Sequence, residues 1–370
     1  MKKSIFLFDN LSNAMEINKY FLTKEKAYKK DIIYVESDPA KYHNDKFYRL
    51  TDKVTKVKKI GFRRLISSML NKKSIVVSGS PATYQKYLSN KIIFLNHGWG
   101  TKSTPGNNEI NNPKVMKNYE NTLKNLNYII CLSEFDSTYY LKHEKFKKIP
   151  EPKFIPLGSP RNDYLIKHKN SKSIFDNLSK EFKINKANKK VLLFSPTHRD
   201  NYEKNIKLLN EIIEQLSILD RELDEKGYVI LFRPHYFSGD VRERIEKLKN
   251  IKYAGFDKYK DVRPLMIYSD LLITDYSSIF VDYLLLDKPI VYYIPDLDEY
   301  SSFRGLVIDY DNPLQTPGPK IKEFKEILHL QDNDFLSYDL EESKHFFHKY
   351  TDDQSTKRIV EFIKKQYNAM

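Results

Sequence analysis

The feature that most constrains this chain is a repeated alternation of short β-branched or aromatic runs with segments of helical spacing, separated by polar turns. Such alternation is typical of parallel sheets joined by crossover helices. The first series of predicted strands covers residues 4–8, 31–35, 74–78, 92–96, 128–132 and 153–157. Six strands are enough for one complete doubly wound sheet.

A second series of strands is predicted after a polar stretch at 166–190, which is rich in Lys, Asn and Ser and indicates a linker or an interdomain helix. Apolar residues at helical spacing predict a helix over 206–219, with its start near Asn201. We therefore expect two α/β domains, 1–170 and 171–370, with helical segments at 337–350 and 352–367 that cross back to the first. The predicted strands of the second series are 191–194, 228–232, 251–254, 271–274, 289–294 and 306–309.

Length and composition agree with two folded domains, since the chain has 370 residues of which 40% are hydrophobic. The single cysteine, Cys131, lies in an apolar run, which predicts a buried thiol and a reducing cytoplasm. The first apolar run is interrupted by Asp9, which favours a strand over a signal peptide. No run approaches the roughly 18 apolar residues of a membrane span, so any membrane contact is expected to be peripheral.

The chain is strongly basic, with 63 Lys and Arg against 49 Asp and Glu, a formal charge of +14. The excess concentrates at 53–73 and 142–153, and it favours a polyanionic partner, either nucleic acid, anionic lipid or a phosphate-rich polymer. A solvated lysine-rich face explains the charge equally well. Segment 53–73 can likewise be an amphipathic helix on a membrane or a crossover helix packed on the first sheet.

Two polar motifs follow predicted strands of the first series. In HGWGTK, His97 comes directly after a strand, where a histidine can act as a general base, although a turn histidine bonded to the backbone is the simpler alternative. In GSPRND, Arg161 and Asp163 open a helix, and the simplest interpretation is a capped helix start with Arg161 on the surface.

Two motifs of the second series deliver arginine and histidine to strand ends. They are SPTHRD, which contains Thr197 and Arg199, and RPH, which contains Arg233 and His235. Arginine offers a planar fork of donors that suits a diphosphate. Either motif can instead be an ordinary strand-end turn, but two in one domain favour an anion site.

The motif TDYSS lies between a predicted strand and an apolar helix. Ser277 and Ser278 are placed to cradle a phosphate or to cap the helix, and Asp275 is better suited to orienting a neighbouring His or Arg. The acidic group DLDEY at 296–300 fits a metal site or a capping cluster, and Arg304 is a candidate phosphate contact.

Several enzyme classes lack their motifs here. The chain has no GxxxxGK[ST], HExxH, CxxC or GxSxG element. This argues against a P-loop NTPase, a zinc protease, a thiol redox centre and an α/β-hydrolase.

The ordered set of motifs resembles the CDP-glycerol glycerophosphotransferase family. The resemblance rests on HGWGTK, SEFDS, GSPRND, SPTHRDN, RPH, SDLLITDYSSIFVDYLLLDKPIVYY and DLDEY followed by RG and PGP, from about residue 90 to 320. It implies a GT-B-like pair of Rossmann-type domains, with a CDP-alcohol donor in the second and an acceptor approaching from the first. The sequence departs from many members at Trp99 and Gly100, which separate the HG pair from Thr101.

The resemblance also implies residue roles. His97 is expected to deprotonate the acceptor hydroxyl, and His235 to be a second catalytic histidine beside the donor diphosphate. The remaining candidates are Arg233, Ser277, Ser278, Thr197, Arg199, Asp275 and Arg304 on the donor side, and Gly98, Trp99, Lys102 and Arg161 on the acceptor side.

The implied activity is transfer of glycerol phosphate, or a related polyol phosphate such as ribitol phosphate, to a hydroxyl of a lipid-linked or glycan acceptor, with release of CMP. The pathway is teichoic acid or capsule synthesis at the inner face of the cell membrane, with no metal or other cofactor required and no nucleic-acid partner. Two alternatives are a GT-B glycosyltransferase that uses a nucleotide sugar, and a non-catalytic protein that binds anionic lipid or polymer. The length favours a single catalytic unit and hence a primase.

Overall fold

The structure is a computed structural model that describes residues 3–8, 13–35, 74–79, 83–95, 101–138, 152–199, 201–234 and 241–370. His97, Gly98, Trp99, His235 and the basic segment 53–73 lie outside the described residues. We refer to residues 1–170 as the N-terminal half and to residues 171–370 as the C-terminal half.

Each half contributes one six-stranded parallel sheet. The first sheet has the order β2-β1-β3-β4-β5-β6, and the second has the order β9-β8-β7-β10-β11-β12 when read from its β9 edge. The second order is the 3-2-1-4-5-6 arrangement of a Rossmann fold, which reverses direction between β7 and β10. The strands are β1 Ser4–Phe8, β2 Ile32–Val35, β3 Ser74–Ser78, β4 Lys91–Phe94, β5 Tyr128–Cys131, β6 Lys153–Pro156, β7 Lys190–Ser195, β8 Tyr228–Phe232, β9 Ile251–Tyr253, β10 Leu271–Thr274, β11 Ile290–Tyr293 and β12 Lys320–Ile321.

Helices connect the strands in both halves. They are α1 Asn13–Thr23, α2 Pro113–Leu123, α3 Pro160–His168, α4 Lys172–Phe182, α5 Tyr202–Glu225, α6 Arg242–Ile245, α7 Arg263–Tyr268, α8 Ile279–Tyr283, α9 Leu297–Arg304, α10 Leu340–Phe347 and α11 Ser355–Asn368. The helix predicted over 206–219 is confirmed as α5, and Asn201 caps it by accepting a hydrogen bond from Lys204 N at 3.0 Å.

All but one of the predicted strands are confirmed to within a residue or two. The exception is 306–309, which is not a strand. Leu306 instead forms a single antiparallel bridge with Lys102 of the N-terminal half, and Val307 N donates to Thr101 O at 3.0 Å. This segment therefore pairs across the two halves, and the sixth strand of the second sheet is β12, which follows the Pro-Gly-Pro turn.

Helix α11 packs against the first sheet. Its apolar residues Ile359, Val360 and Ile363 are fully buried and join the core cluster that contains Ile5 and Val77 of the first sheet. The hydrophobic effect thus holds the end of the chain against its beginning.

The polar stretch at 166–190 is a structured connection. It contains α4, whose residues Ile174, Leu178 and Phe182 pack in the core of the C-terminal half. Cys131 is buried, as predicted, at 1% exposure, and burial raises the pKa of its thiol well above the ordinary value. Among the described residues, no helix is both long enough and apolar enough to cross a membrane.

Candidate active site

The candidate site lies at the carboxyl end of the second sheet, where the strand order reverses. Connections from β7 and β10 leave the sheet in opposite directions at such a point, and the crevice between them is the usual ligand position in open α/β sheets. The loop after β7 carries Thr197 and Arg199, and the loop after β10 carries Asp275 and the serines of TDYSS. The two motifs predicted for the donor side thus meet at one place.

Arg199 connects three loops at this crevice. Its Nη1 donates to Asp275 Oδ2 at 2.9 Å, while Nε and Nη2 donate to the two carboxylate oxygens of Asp296 at 2.8 and 2.9 Å. Nη1 also donates to Thr197 O at 2.9 Å. Arg199 and Asp275 are almost fully buried, with side chains 7% and 1% exposed. We call Arg199, Asp275 and Asp296 the arginine clamp.

Two tyrosines pack against the clamp. The rings of Tyr276 and Tyr300 stack with centroids 4.0 Å apart, and the Arg199 guanidinium carbon lies 4.9 and 4.8 Å from those centroids. Tyr276 also donates its hydroxyl to Asp296 Oδ1 at 2.8 Å. The two aromatic rings therefore cover the ion pairs with apolar surface. Salt screens such a buried charge pair only weakly.

Burial and charge set the protonation states here. Burial lowers the pKa of Arg199, but the carboxylates of Asp275 and Asp296 outweigh it, so the net shift is upward. Burial, followed by the negative charge of Asp296, raises the pKa of Tyr276 well above its ordinary value. The clamp therefore holds a charged guanidinium and a neutral phenol.

Asp275 joins two loops through its side chain. Its Oδ1 accepts a hydrogen bond from Thr197 N at 2.8 Å, while Oδ2 binds Arg199. Tyr310 donates its hydroxyl to Asp275 O at 2.8 Å. Asp275 is thus held on both its main chain and its side chain, and it draws the loop after β7 towards the loop after β10.

The remaining donor-side candidates lie near the same edge. Arg233 directs Nη1 to Ala254 O and Tyr259 O, at 2.9 and 2.8 Å, and is 9% exposed. Ser277 and Ser278 are half-buried, and Ser277 Oγ accepts from Ile279 N at 3.4 Å. Ser278 occupies the N-cap position of α8 and makes no side-chain capping hydrogen bond.

The acceptor-side motif is represented by its last two residues. Thr101 donates its hydroxyl to Tyr276 O at 2.5 Å, across the boundary between the halves. Lys102 pairs with Leu306, and its Nζ lies 5.8 Å from the centroid of the Tyr300 ring. The end of HGWGTK thus contacts the loop that carries Ser277.

Arg304 lies against the N-terminal half. Its Nη1 donates to Ser103 O at 3.0 Å and lies 3.4 Å from Glu109 Oε2. Arg304 thereby helps to hold the 101–110 loop, and its predicted phosphate contact stays a prediction.

Arg161 is not a surface residue, contrary to the simpler expectation. Its guanidinium forms an ion pair with Asp282 of α8, and both side chains are largely buried, at 15% and 10% exposure. Asn162 donates to the same carboxylate at 3.0 Å. Arg161 therefore joins the two halves.

Sequence reasoning missed the partners of the candidate residues. The sequence predicts a metal site or a capping cluster at Asp296, but Asp296 is the bidentate partner of Arg199. No group of three or more His, Cys, Asp or Glu side chains that could hold a metal ion occurs among the described residues. Nothing local in the sequence marks Tyr276, Tyr300 or Thr101 as part of the same cluster.

Two parallel Rossmann-type sheets, with polar motifs gathered at their carboxyl ends, define a GT-B-like α/β protein. Residues 5–365 match the CDP-Glycerol:Poly(glycerophosphate) glycerophosphotransferase family, so the chain belongs to that family. The predicted fold class and the family resemblance are thereby confirmed.

Relatives and solved structures agree with this assignment. The chain is 32% identical to a teichoic acid poly(glycerol phosphate) polymerase of Bacillus spizizenii over 58% of this chain and 52% of the relative. It is 25% identical to a teichoic acid glycerol-phosphate primase of Bacillus subtilis over 95% of this chain and 89% of the relative. The structure of the wall teichoic acid polymerase TagF superposes with a TM-score of 0.71 at 23% identity, covering 100% of this chain and 89% of that chain. The chain thus spans about half the length of the first of these relatives.

Proposed function

We propose that this protein transfers glycerol phosphate, or a related polyol phosphate, from a CDP-activated donor to a hydroxyl of an acceptor and releases CMP. The observation that carries the proposal is the contact between Arg199 and Asp275, which joins the SPTHRD and TDYSS motifs at the reversal point of the second sheet. Family membership over residues 5–365 supports the same reaction.

The proposed reaction is an in-line displacement at phosphorus. The acceptor oxygen forms a bond to the β-phosphorus of the donor, the bond between that phosphorus and the bridging oxygen breaks, and CMP leaves with the electron pair. The acceptor proton passes to a base, for which we propose His97. Such a reaction depends chiefly on positioning the partners and stabilising negative oxygens.

The C-terminal half is the proposed donor domain. Arg233, His235, Ser277 and Ser278 are proposed to surround the diphosphate, because the described members of this set lie at the carboxyl ends of β8 and β10. Asp275 and Thr197 shape the loop beside them through the hydrogen bond from Thr197 N. We propose that no metal takes part.

The N-terminal half is the proposed acceptor domain. The residues proposed there are His97, Gly98, Trp99, Lys102 and Arg161. A lipid-linked acceptor, and peripheral attachment to the inner face of the membrane, are supported by the formal charge of +14, since anionic headgroups attract basic surfaces. The relative named as a primase matches this chain over 89% of its own length, which supports addition of one or a few units.

The proposed function is tested by measuring which activated donor the purified chain uses. Incubation with CDP-glycerol or CDP-ribitol and a lipid-linked acceptor is expected to release CMP and extend the acceptor, while UDP-sugars are expected to be inert. His97→Ala and His235→Ala are expected to abolish turnover with the fold retained. Turnover of a UDP-sugar, with none of a CDP-polyol, would instead indicate a glycosyltransferase.

A further inference from the structure

We propose that Arg199 is a positioning residue that holds three donor-side loops in one arrangement and does not itself bind the donor's phosphates. The inference rests on the proposed function, because the loops it holds are those assigned to the donor. It revises the expectation that Arg199 contributes its charge directly to a phosphate.

The hydrogen-bonding capacity of Arg199 is nearly used up. A guanidinium has five N–H donors. Nε, Nη2 and both hydrogens of Nη1 are directed to Asp296, Asp275 and Thr197 O, all at 2.8 to 2.9 Å. Two carboxylates already balance its charge, so little remains to attract an anion.

Arg199 and its two carboxylate partners follow three different strands. Arg199 follows β7, Asp275 follows β10 and Asp296 follows β11, and these three strands are neighbours in the sheet. One side chain therefore spans the carboxyl ends of three adjacent strands. The main chain of Arg199 is held as well, since its N–H donates to Asn205 Oδ1 at 3.0 Å.

Only an arginine fits this arrangement. Its planar fork can meet one carboxylate with two parallel bonds while a third nitrogen reaches the other, and its face can lie against Tyr276 and Tyr300. A lysine carries the same charge on a single nitrogen, so it cannot form two parallel bonds to Asp296 while also reaching Asp275 and presenting a flat face to the tyrosine rings. Arg199→Lys therefore keeps the positive charge while it removes the geometry of the guanidinium.

The decisive variant is Asp296→Asn, because the two roles predict opposite effects. If Arg199 bound phosphate, neutralising Asp296 would release its fork, and the affinity for CDP-glycerol would stay the same or rise. If Arg199 positions the loops, Asp296→Asn loosens them. We expect the Kd of CDP-glycerol to rise about 10-fold and kcat to fall about 10- to 100-fold.

Arg199→Lys completes the comparison. We expect it to match Asp296→Asn in both Kd and kcat. Because both substitutions break the same cluster, the Kd and kcat of the double variant are expected to lie within about twofold of those of the more impaired single variant. Lys204→Gln is the matched control. It removes an exposed ion pair with Glu299 that also links the start of α5 to α9, and it is expected to change neither constant. Donor binding by Asp296→Asn as tight as that of the unaltered chain would overturn the proposal.

A second measurement separates this proposal from the proposed function. Amide hydrogen exchange of the ligand-free chain is expected to accelerate in all three loops, 196–199, 275–278 and 294–297, in Asp296→Asn and in none of them in Lys204→Gln. Faster exchange in 294–297 alone would contradict the proposal that Arg199 holds all three loops. Failure of the unaltered chain to bind any CDP-polyol would contradict the proposed function. The hydrogen-exchange measurement needs no ligand, so it would still test whether Arg199 holds the three loops.

Discussion

The hydroxyl of Thr101 donates a hydrogen bond to the main-chain carbonyl of Tyr276 at 2.5 Å, and both residues are buried. Thr101 stands four positions after His97, and Tyr276 directly precedes Ser277. One hydrogen bond thus joins the proposed acceptor motif to the proposed donor motif.

Thr101→Val is expected to lower kcat for polyol-phosphate transfer by about 10- to 100-fold, because it keeps the shape of the side chain but removes the donor and leaves the Tyr276 carbonyl unsatisfied. The affinity for the CDP donor is expected to change little. Steady-state kinetics, together with equilibrium binding of the donor, test this expectation. Thr101→Ser keeps the hydroxyl and is expected to retain most of the activity; if serine is as poor as valine, the hydrogen bond is not what matters.

The ion pair between Arg161 and Asp282 is expected to stabilise the association of the two halves. Asp282→Ala removes the partner of a largely buried guanidinium and the acceptor of Asn162, so the free energy of unfolding is expected to fall by about 2 to 4 kcal/mol. Urea denaturation measures this change. Asp287→Asn, at a half-exposed carboxylate close by, is expected to cost less than about 1 kcal/mol, and equal losses in the two variants would refute the assignment.

Asp163 is expected to hold α11 against the N-terminal half. Its two carboxylate oxygens accept from Ser355 N and Thr356 N at 2.9 and 2.7 Å, which satisfies the free N–H groups at the start of that helix. Asp163→Ala is expected to lower the free energy of unfolding by about 1 to 2 kcal/mol in urea titrations. The exposed Asp353 supplies the control, since Asp353→Ala is expected to be nearly neutral; no difference between the two would argue against this cap.

Asp136 is expected to make stability depend on pH. Burial raises the pKa of its carboxyl to about 7, although the N–H groups of Ser133 and Leu132 oppose the shift. Between about pH 4 and 7 the unfolded chain has lost this proton and the folded chain retains it, so the free energy of unfolding falls as pH rises, by up to about 1.4 kcal/mol per pH unit.

Asp136→Asn removes that titration. The difference in unfolding free energy between Asp136→Asn and the unaltered chain is expected to grow with pH across this window, as measured by urea titrations at several pH values. A difference that is constant from about pH 4 to 7 would show that Asp136 is ionised in the folded protein throughout.

Local sequence pattern was sufficient for most of the fold. Runs such as 228–232 and 271–273 are apolar along their length, as expected for parallel strands covered on both faces, and they lie in strands Tyr228–Phe232 and Leu271–Thr274. Segment 306–309 has a similar apolar character, yet it pairs with residues 101 and 102 of the other half. Local pattern does not report a pairing partner about two hundred residues away.

The sequence predicts where the candidate residues lie in the sheet but not which residues contact one another. Strand ends locate Arg199 and Asp275 at one edge of the sheet, because parallel strands all present their carboxyl ends on the same side. The pairing of Arg199 with Asp296, 97 residues apart, depends on the order of the strands, which the sequence pattern leaves open. For the same reason the sequence predicts a capping or metal role for Asp296 and an exposed position for Arg161.

We propose above all that this chain uses a CDP-polyol as a phosphate donor. The most direct measurement is CMP release from CDP-glycerol and CDP-ribitol by the purified protein, with and without a lipid-linked acceptor, alongside His97→Ala. We expect acceptor-dependent CMP release with one of the two donors, accompanied by acceptor extension and lost in His97→Ala. Release of UDP from a UDP-sugar in the same assay, or CMP release that His97→Ala leaves intact, would contradict it.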